Sequence, residues 1–224
     1  MSNLFPVISM DPVLKERLPM LKLGVLSFDH CTVITSSPDL REKCIRLVDK
    51  LREEIEVAQI SQLSEIQHWR DAFKKLGVSP TRYRPSAEAL LRRILKGEDL
   101  FGVNSAVDQN NFFSLKTHIP FGSYDGNQIH SPIVCTVGNA TDRYEGINGR
   151  EVSMEGKLLL RDERGPFGSP YVDSRRTRVT EKTRRCFQVV FSLQPEDELE
   201  TILEEAGSAF LEIHGGSMQK AVVF

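Results

Sequence analysis

Four stretches of the 224-residue chain carry residue types that can hold a polar ligand or an anion. In VNSAVDQNNFFSLK (103–116), a helix starting from a cap at Asn104 puts Asn104, Asp108 and Asn111 on one face. Asn110 and Ser114 fall on the adjoining stripe beside Val107. Amides are weak helix formers. Grouping them costs stability unless they are buried with partners or used to hold a ligand. An exposed amide face is the competing reading. Upstream, Arg82, Arg84, Arg92, Arg93 and Lys96 crowd a predicted helix start, where the dipole and the guanidinium groups both attract phosphate. A solvated helix face explains them equally well. IPFGSYDGN (119–127) reads as a turn in which Gly122 permits close backbone approach. GPFGSP reads as a rigid loop presenting N–H groups. After Asp173, residues Arg175, Arg176, Arg178, Lys182, Arg184 and Arg185 face a single glutamate, Glu181. In a chain of net charge −2 this is a local reversal, suited to phosphates or to a basic edge that blocks sheet pairing.

Other chemistries lack their residues. GxSxG, the P-loop and the dinucleotide glycine pattern do not occur. A hydrolase on this chain would depend on positioned water and backbone dipoles, with no nucleophile or general base nominated by the pattern. Cys31, Cys44, Cys135 and Cys186 are scattered without CxxC, which predicts a reduced, cytoplasmic compartment. The five histidines show no zinc spacing, so neither metal nor cofactor is expected. A hydrophobic fraction of 40% with 27% charged residues is that of a folded domain, neither disordered nor a strongly basic coat. The longest apolar runs are far shorter than a membrane helix needs. The opening MSNLFPVISMDPVLKERLP has no basic start followed by an apolar core, predicting no secretory leader.

The elements that position these residues follow from periodicity. Residues 21–35 predict one or two strands with a turn at Asp29-His30. Ser37-Pro38 opens a helix with Leu40, Cys44, Leu47, Val48, Leu51 and Ile55 along one stripe. A second helix spans roughly 61–76 and ends at Gly77; a third is capped by Ser86 and ends at Gly97. IHSPIVCTVG, EVSMEGKLLLRD and RCFQVVFSL read as strands, and Pro195 opens a final helix closed by Gly215-Gly216. The expectation is one α+β domain over 1–224, a mostly antiparallel sheet with flanking helices.

Three segments taken in order, WRDAFKKLGVSPTRYRPSAEALLRRILKG, VNSAVDQNNFFSLKTHIPFGSYD and GPFGSPYVDSRRTRVTEKT, resemble the free-standing relatives of the editing domain of the phenylalanyl-tRNA synthetase beta subunit. The resemblance runs from about Trp69 to Phe191. It implies that fold, and a tRNA-binding cleft between the helix of Asp108–Asn111, the Pro120–Asp125 turn and the Gly165–Gly168 loop. Asn111 matches an asparagine of the editing pocket, and Gly165 and Gly168 match its loop glycines. Gly122 stands where the synthetase has a histidine, and an apolar residue near Val189 where it has a glutamate. Selectivity for misacylated tyrosine is therefore not expected here.

The function so implied is hydrolysis of an aminoacyl ester on the 3′ end of tRNA, without DNA or membrane as partner. Asn110, Asn111 and Asp108 would fix the amino group and the attacking water, and backbone N–H groups of Gly122, Gly165 or Gly168 would face the oxyanion. Asn104, Ser114, Pro120, Ser123, Tyr124, Asp125 and Phe167 would complete the substrate site. Arg82, Arg84, Arg92, Arg93, Arg175, Arg176 and Arg178 would hold the RNA. A non-catalytic RNA- or amino-acid-binding module, and an enzyme acting on free amino-acid derivatives, remain open alternatives.

Overall fold

The computed structural model describes residues 6–224; residues 1–5, which open the segment read for a leader, lie outside the described residues. The first half supplies most of the helices. A short strand β1 (Ile8–Met10) and helix α1 (Pro12–Arg17) precede β2 (Lys22–Asp29). Helix α2 (Pro38–Glu54) starts as the sequence predicts, with Ser37 Oγ accepting the Leu40 N–H at 3.4 Å. Helices α3 (Ser64–Lys75), α4 (Ser86–Leu95) and α5 (Ser105–Thr117) follow. Asn104 caps α5, its Oδ1 accepting from Val107 N at 3.0 Å. Ser86 is the first residue of α4 and makes no capping bond, because Pro85 occupies the cap position.

The second half is strand-rich: β3 (Phe121–Asp125), β4 (Ile133–Val137), β5 (Arg143–Glu145), β6 (Glu151–Ser153), β7 (Leu158–Asp162), β8 (Gly165–Gly168) and β9 (Arg185–Ser192). Helix α6 (Glu196–His214) and strand β10 (Ser217–Val223) complete the order. Two segments differ from expectation. Phe121–Asp125 is a strand instead of a turn, and the Gly165–Gly168 loop is an edge strand, the one position where Pro166 costs no ladder bond.

The strands form two four-stranded sheets and a β5–β6 ribbon. One sheet runs β1-β4-β7-β8, with β1 parallel to β4; the other runs β10-β2-β9-β3 and is antiparallel throughout. Strand alternation divides the second sheet's side chains between two cores. Leu23, Val25, Phe187, Val189 and Phe191 face the first sheet, packing with Ile133, Leu158, Leu160 and Phe167. Leu26, Phe28, Cys186 and Val190 face α5 and α6, packing with Phe113, Leu199, Leu203 and Phe210. A third core joins α2, α4 and α5. The resulting α+β arrangement lays α5 against β3, with the N-terminal part of α4 nearby.

Candidate functional site

A cleft of about 650 Å³ opens where α5, α4, β3 and the loop after β8 meet. That volume lies within the range of small-molecule sites. Asn110, Asn111, Ser123, Ser169 and Asp173 supply polar groups, and Phe101, Phe121, Tyr171 and Val172 supply apolar surface. Arg93 and Arg178 also line it. Arg178 is exposed and joins no ion pair among the described residues, whereas Arg93 reaches Glu98 at 2.7 Å.

The amide stripe of α5 is used in two ways. Asn110 is stitched to β3: its Nδ2 donates to the Phe121 carbonyl at 3.2 Å, and its Oδ1 accepts from Ser123 Oγ at 2.9 Å. Ser123 Oγ in turn accepts from Gln188 Nε2 at 3.0 Å, so a fixed polar line runs from α5 across β3 into β9. Asn111 donates only weakly, to the Leu100 carbonyl at 3.4 Å, and its Oδ1 accepts no hydrogen bond among the described residues. Asp108 faces elsewhere. Its carboxylate takes the Gly102 N–H at 2.9 Å and the Val103 N–H at 3.2 Å, pinning the loop that walls the cleft. Burial raises its carboxyl above the usual range, against the lowering effect of those amides. Asn104 is spent on its cap and on the Val179 carbonyl, and Ser114 Oγ on the Phe121 N–H.

The remaining predicted pocket residues lie outside the lining. The Pro120 carbonyl accepts from Phe191 N, and Asp125 holds Asn127 N and Thr183 Oγ1. Phe167 is fully buried between the sheets, its ring edge-on to Tyr124 with centroids 5.1 Å apart. Gly165 belongs to β8, where its carbonyl accepts from Arg176. Gly122 and Gly168 serve packing: a Cβ on either would lie 2.1 or 2.3 Å from the Tyr124 hydroxyl. Both glycines leave room for that ring.

Most of the arginines have acidic partners. Glu88, whose side chain is fully buried, is held by Arg70 at 2.9 Å, Arg92 at 2.9 Å and Arg84 at 3.8 Å. Arg176 forks onto the buried Asp162 at 2.9 and 3.1 Å, and Arg175 pairs with Glu145 at 2.6 Å. The exposed Arg82 lies 5.2 Å from the centre of the Tyr83 ring. The basic runs therefore do not form one free patch; Arg178 and Arg93 are the two at the cleft.

Gln188 and Asp173 are among the residues at the cleft that the sequence did not nominate. Gln188 is the polar neighbour of Val189, and pleat alternation turns it toward α5 while Val189 enters the core between the sheets. Asp173 keeps some exposure to the cleft although protein packs densely around its carboxyl, and that desolvation pushes it up to about 7. Its Oδ1 accepts from Tyr124 Oη at 2.8 Å and from Ser169 N at 3.3 Å. Alternating period-2 faces could have flagged Gln188; no local signal marks Asp173. Ser105 and His214 make a hydroxyl–imidazole contact of 2.8 Å, but both are sealed in the core, so no substrate reaches them.

Residues 68–201, more than half of the chain, match the model of the B3/4 domain, and the chain belongs to that family. That membership bears out the family resemblance read from the sequence. The chain is 27% identical over 214 residues to the uncharacterized protein YhzB of Bacillus subtilis (strain 168), covering 94% of this chain and 96% of that one. It also matches an N-terminal fragment of the phenylalanyl-tRNA synthetase beta-subunit from Pyrococcus horikoshii at 16% identity with a TM-score of 0.49. That match covers 97% of this chain and 51% of the fragment, so the chain spans about half the fragment's length. Among the described residues, no helix is long and apolar enough to cross a membrane.

Proposed function

We propose that the protein binds the aminoacylated 3′ end of tRNA in the α5–β3 cleft and hydrolyses the ester. The observation that carries this reading is the pre-set polar line Asn110–Ser123–Gln188 along the cleft wall, beside an Asn111 Oδ1 free to accept. Groups held this way need no rearrangement when a substrate arrives. Asn111 Oδ1 receives the ammonium of the amino acid, and the apolar wall of Phe101, Phe121 and Val172 takes its side chain. Arg93 and Arg178 meet backbone phosphates. Water adds to the ester carbonyl, and the tetrahedral adduct collapses with loss of the terminal ribose hydroxyl. Family membership supports the choice of substrate class, and tyrosine selectivity is not part of the proposal.

The test is a release assay on a panel of correctly and wrongly charged tRNAs. Selective release of one or two amino acids is expected. Asn111→Ala should lower it about 10- to 100-fold, the worth of one hydrogen bond to a charged group. Release unchanged in Asn111→Ala refutes the pocket assignment. A second reading, a binding module without turnover, is favoured by the way Asn110 spends both its Oδ1 and its Nδ2 inside the protein. It predicts salt-sensitive tRNA binding with no release from any member.

A further inference from the structure

We propose that Asp173 is the proton acceptor that activates water in the α5–β3 cleft, an assignment that rests on the ester-hydrolase reading above. Two carboxylates line this cleft, Asp173 and Asp99. Asp99 is ion-paired to Arg41 at 2.5 Å, and the Phe101 N–H together with that guanidinium holds its carboxyl below the usual range. A carboxylate so stabilised is a poor base. Asp173 has no cationic partner among the ion pairs of the described residues, and its two oxygens are unequally engaged. Oδ1 is fixed by Tyr124 Oη and Ser169 N, while Oδ2 makes no hydrogen bond among the described residues and is not among the atoms sealed without a partner. One oxygen orients the group and the other is left for water.

The orienting tyrosine is itself immobilised. Tyr124 is fully buried, edge-on to Phe167, with the vacant Cβ positions of Gly122 and Gly168 beside its hydroxyl. This gives the two glycines, which the family resemblance places at the site, an indirect role: they let Tyr124 reach Asp173. Desolvation brings the carboxyl to about 7, close to neutral pH, where a general base works best. The titratable groups around it do not interfere. Tyr124 from β3 and Tyr144 from β5 are pushed up by burial and stay neutral, as does Tyr171 on the same loop. Arg93, Arg178 and Asp99 share the cleft. In the step proposed, the water oxygen bonds to the ester carbonyl carbon as its proton passes to Asp173 Oδ2. The carbon–oxygen bond to the ribose then breaks, the departing oxygen takes that proton, and Asp173 is ionised again.

The experiment is single-turnover deacylation by the full chain from about pH 5.5 to about pH 8.5, with uncatalysed ester loss subtracted. The charged tRNA is one that the wild-type protein deacylates in the panel above. The wild-type rate should rise with pH and level off above about 7. Asp173→Asn should lose about 100-fold or more while keeping tRNA affinity. Tyr124→Phe should move the inflection to higher pH, because the hydrogen bond it removes favours the ionised carboxylate. A merely structural Tyr124 would leave the inflection in place. If Asp173→Asn does not fold, Tyr124→Phe decides, and an unmoved inflection overturns the proposal. Wild-type turnover with Asp173→Asn within about threefold overturns the assignment of Asp173 and leaves the hydrolase reading intact. No turnover of any charged tRNA by the wild-type protein overturns both.

Discussion

Gly122→Ala should destabilise the protein by about 3–4 kcal/mol, although it adds a single methyl group. The new Cβ would lie 2.1 Å from Tyr124 Oη, 2.6 Å from Cζ and 3.0 Å from Cε2. Unstrained contacts sit at about 3.5 Å, so the ring must retreat by about 1.4 Å. Gly168 stands against the same hydroxyl, its own Cβ position 2.3 Å away, and Phe167 closes another side. A retreat of that size stretches the 2.8 Å bond to Asp173 past hydrogen-bonding range. Overpacking accounts for about 1–3 kcal/mol and the lost bond to a carboxylate for about 1.5–3 kcal/mol. Equilibrium unfolding in urea near neutral pH, followed by the fluorescence of the one tryptophan, the buried Trp69, reads the change. Tyr124→Phe removes the closest clashing atom, so the double variant should cost less than the sum of the singles by about 1 kcal/mol. A Gly122→Ala protein within about 0.5 kcal/mol of wild type, or strict additivity with Tyr124→Phe, refutes the slotted-ring account.

Glu88→Ala should cost about 3–5 kcal/mol, since it strands Arg70, Arg84 and Arg92 around a vacated buried site; a loss under about 1 kcal/mol in urea unfolding would contradict the cluster's structural role. The raised Asp173 carboxyl also has a stability signature. Between about 4, its ordinary value, and about 7, the folded chain binds this proton more tightly than the unfolded chain, so its contribution to stability falls as pH rises through that window. Asp173→Asn removes the term, and the melting temperature of the wild type relative to the variant should drop from pH 4 to pH 7; a constant difference refutes the shift.

Helix positions were legible because their signals are local. Ser37-Pro38 and Asn104 cap α2 and α5 as their side chains dictate, and the apolar stripe of α2 buries Leu40, Cys44, Val48 and Leu51. The strand β9 was equally plain. What escaped depends on partners distant in sequence. Gly165–Gly168 reads as a loop by composition and becomes a strand only because β7 leaves an edge for it. Phe121–Asp125 looks like a turn until the Tyr124 ring is seen to require Gly122. The arginine runs advertise a phosphate surface, yet Glu88, Asp162 and Glu145 claim most of them, and no spacing rule pairs Arg176 with a residue 14 positions earlier. Asn110 and Asn111 line the cleft, while Asp108 turns to the loop amides. Asp173 is set apart by a tyrosine 49 residues away.

The order β10-β2-β9-β3 has a consequence for how the chain reaches its native state. Strand β2 is made early, but both of its neighbours come late: Asp29 meets Arg185, 156 positions on, and β10 pairs with its other edge later still. A ribosome adding about 5–20 residues per second leaves β2 without a ladder partner for about 10 seconds or more. Its Leu23, Val25, Leu26 and Phe28 lie on both faces, so the waiting strand exposes apolar side chains on either side. Such long-range pairing slows folding, because loop closure precedes any gain from contact. The helical block of α2, α4 and α5 has its own core and can assemble first, giving the nascent chain a surface on which the sheet later condenses.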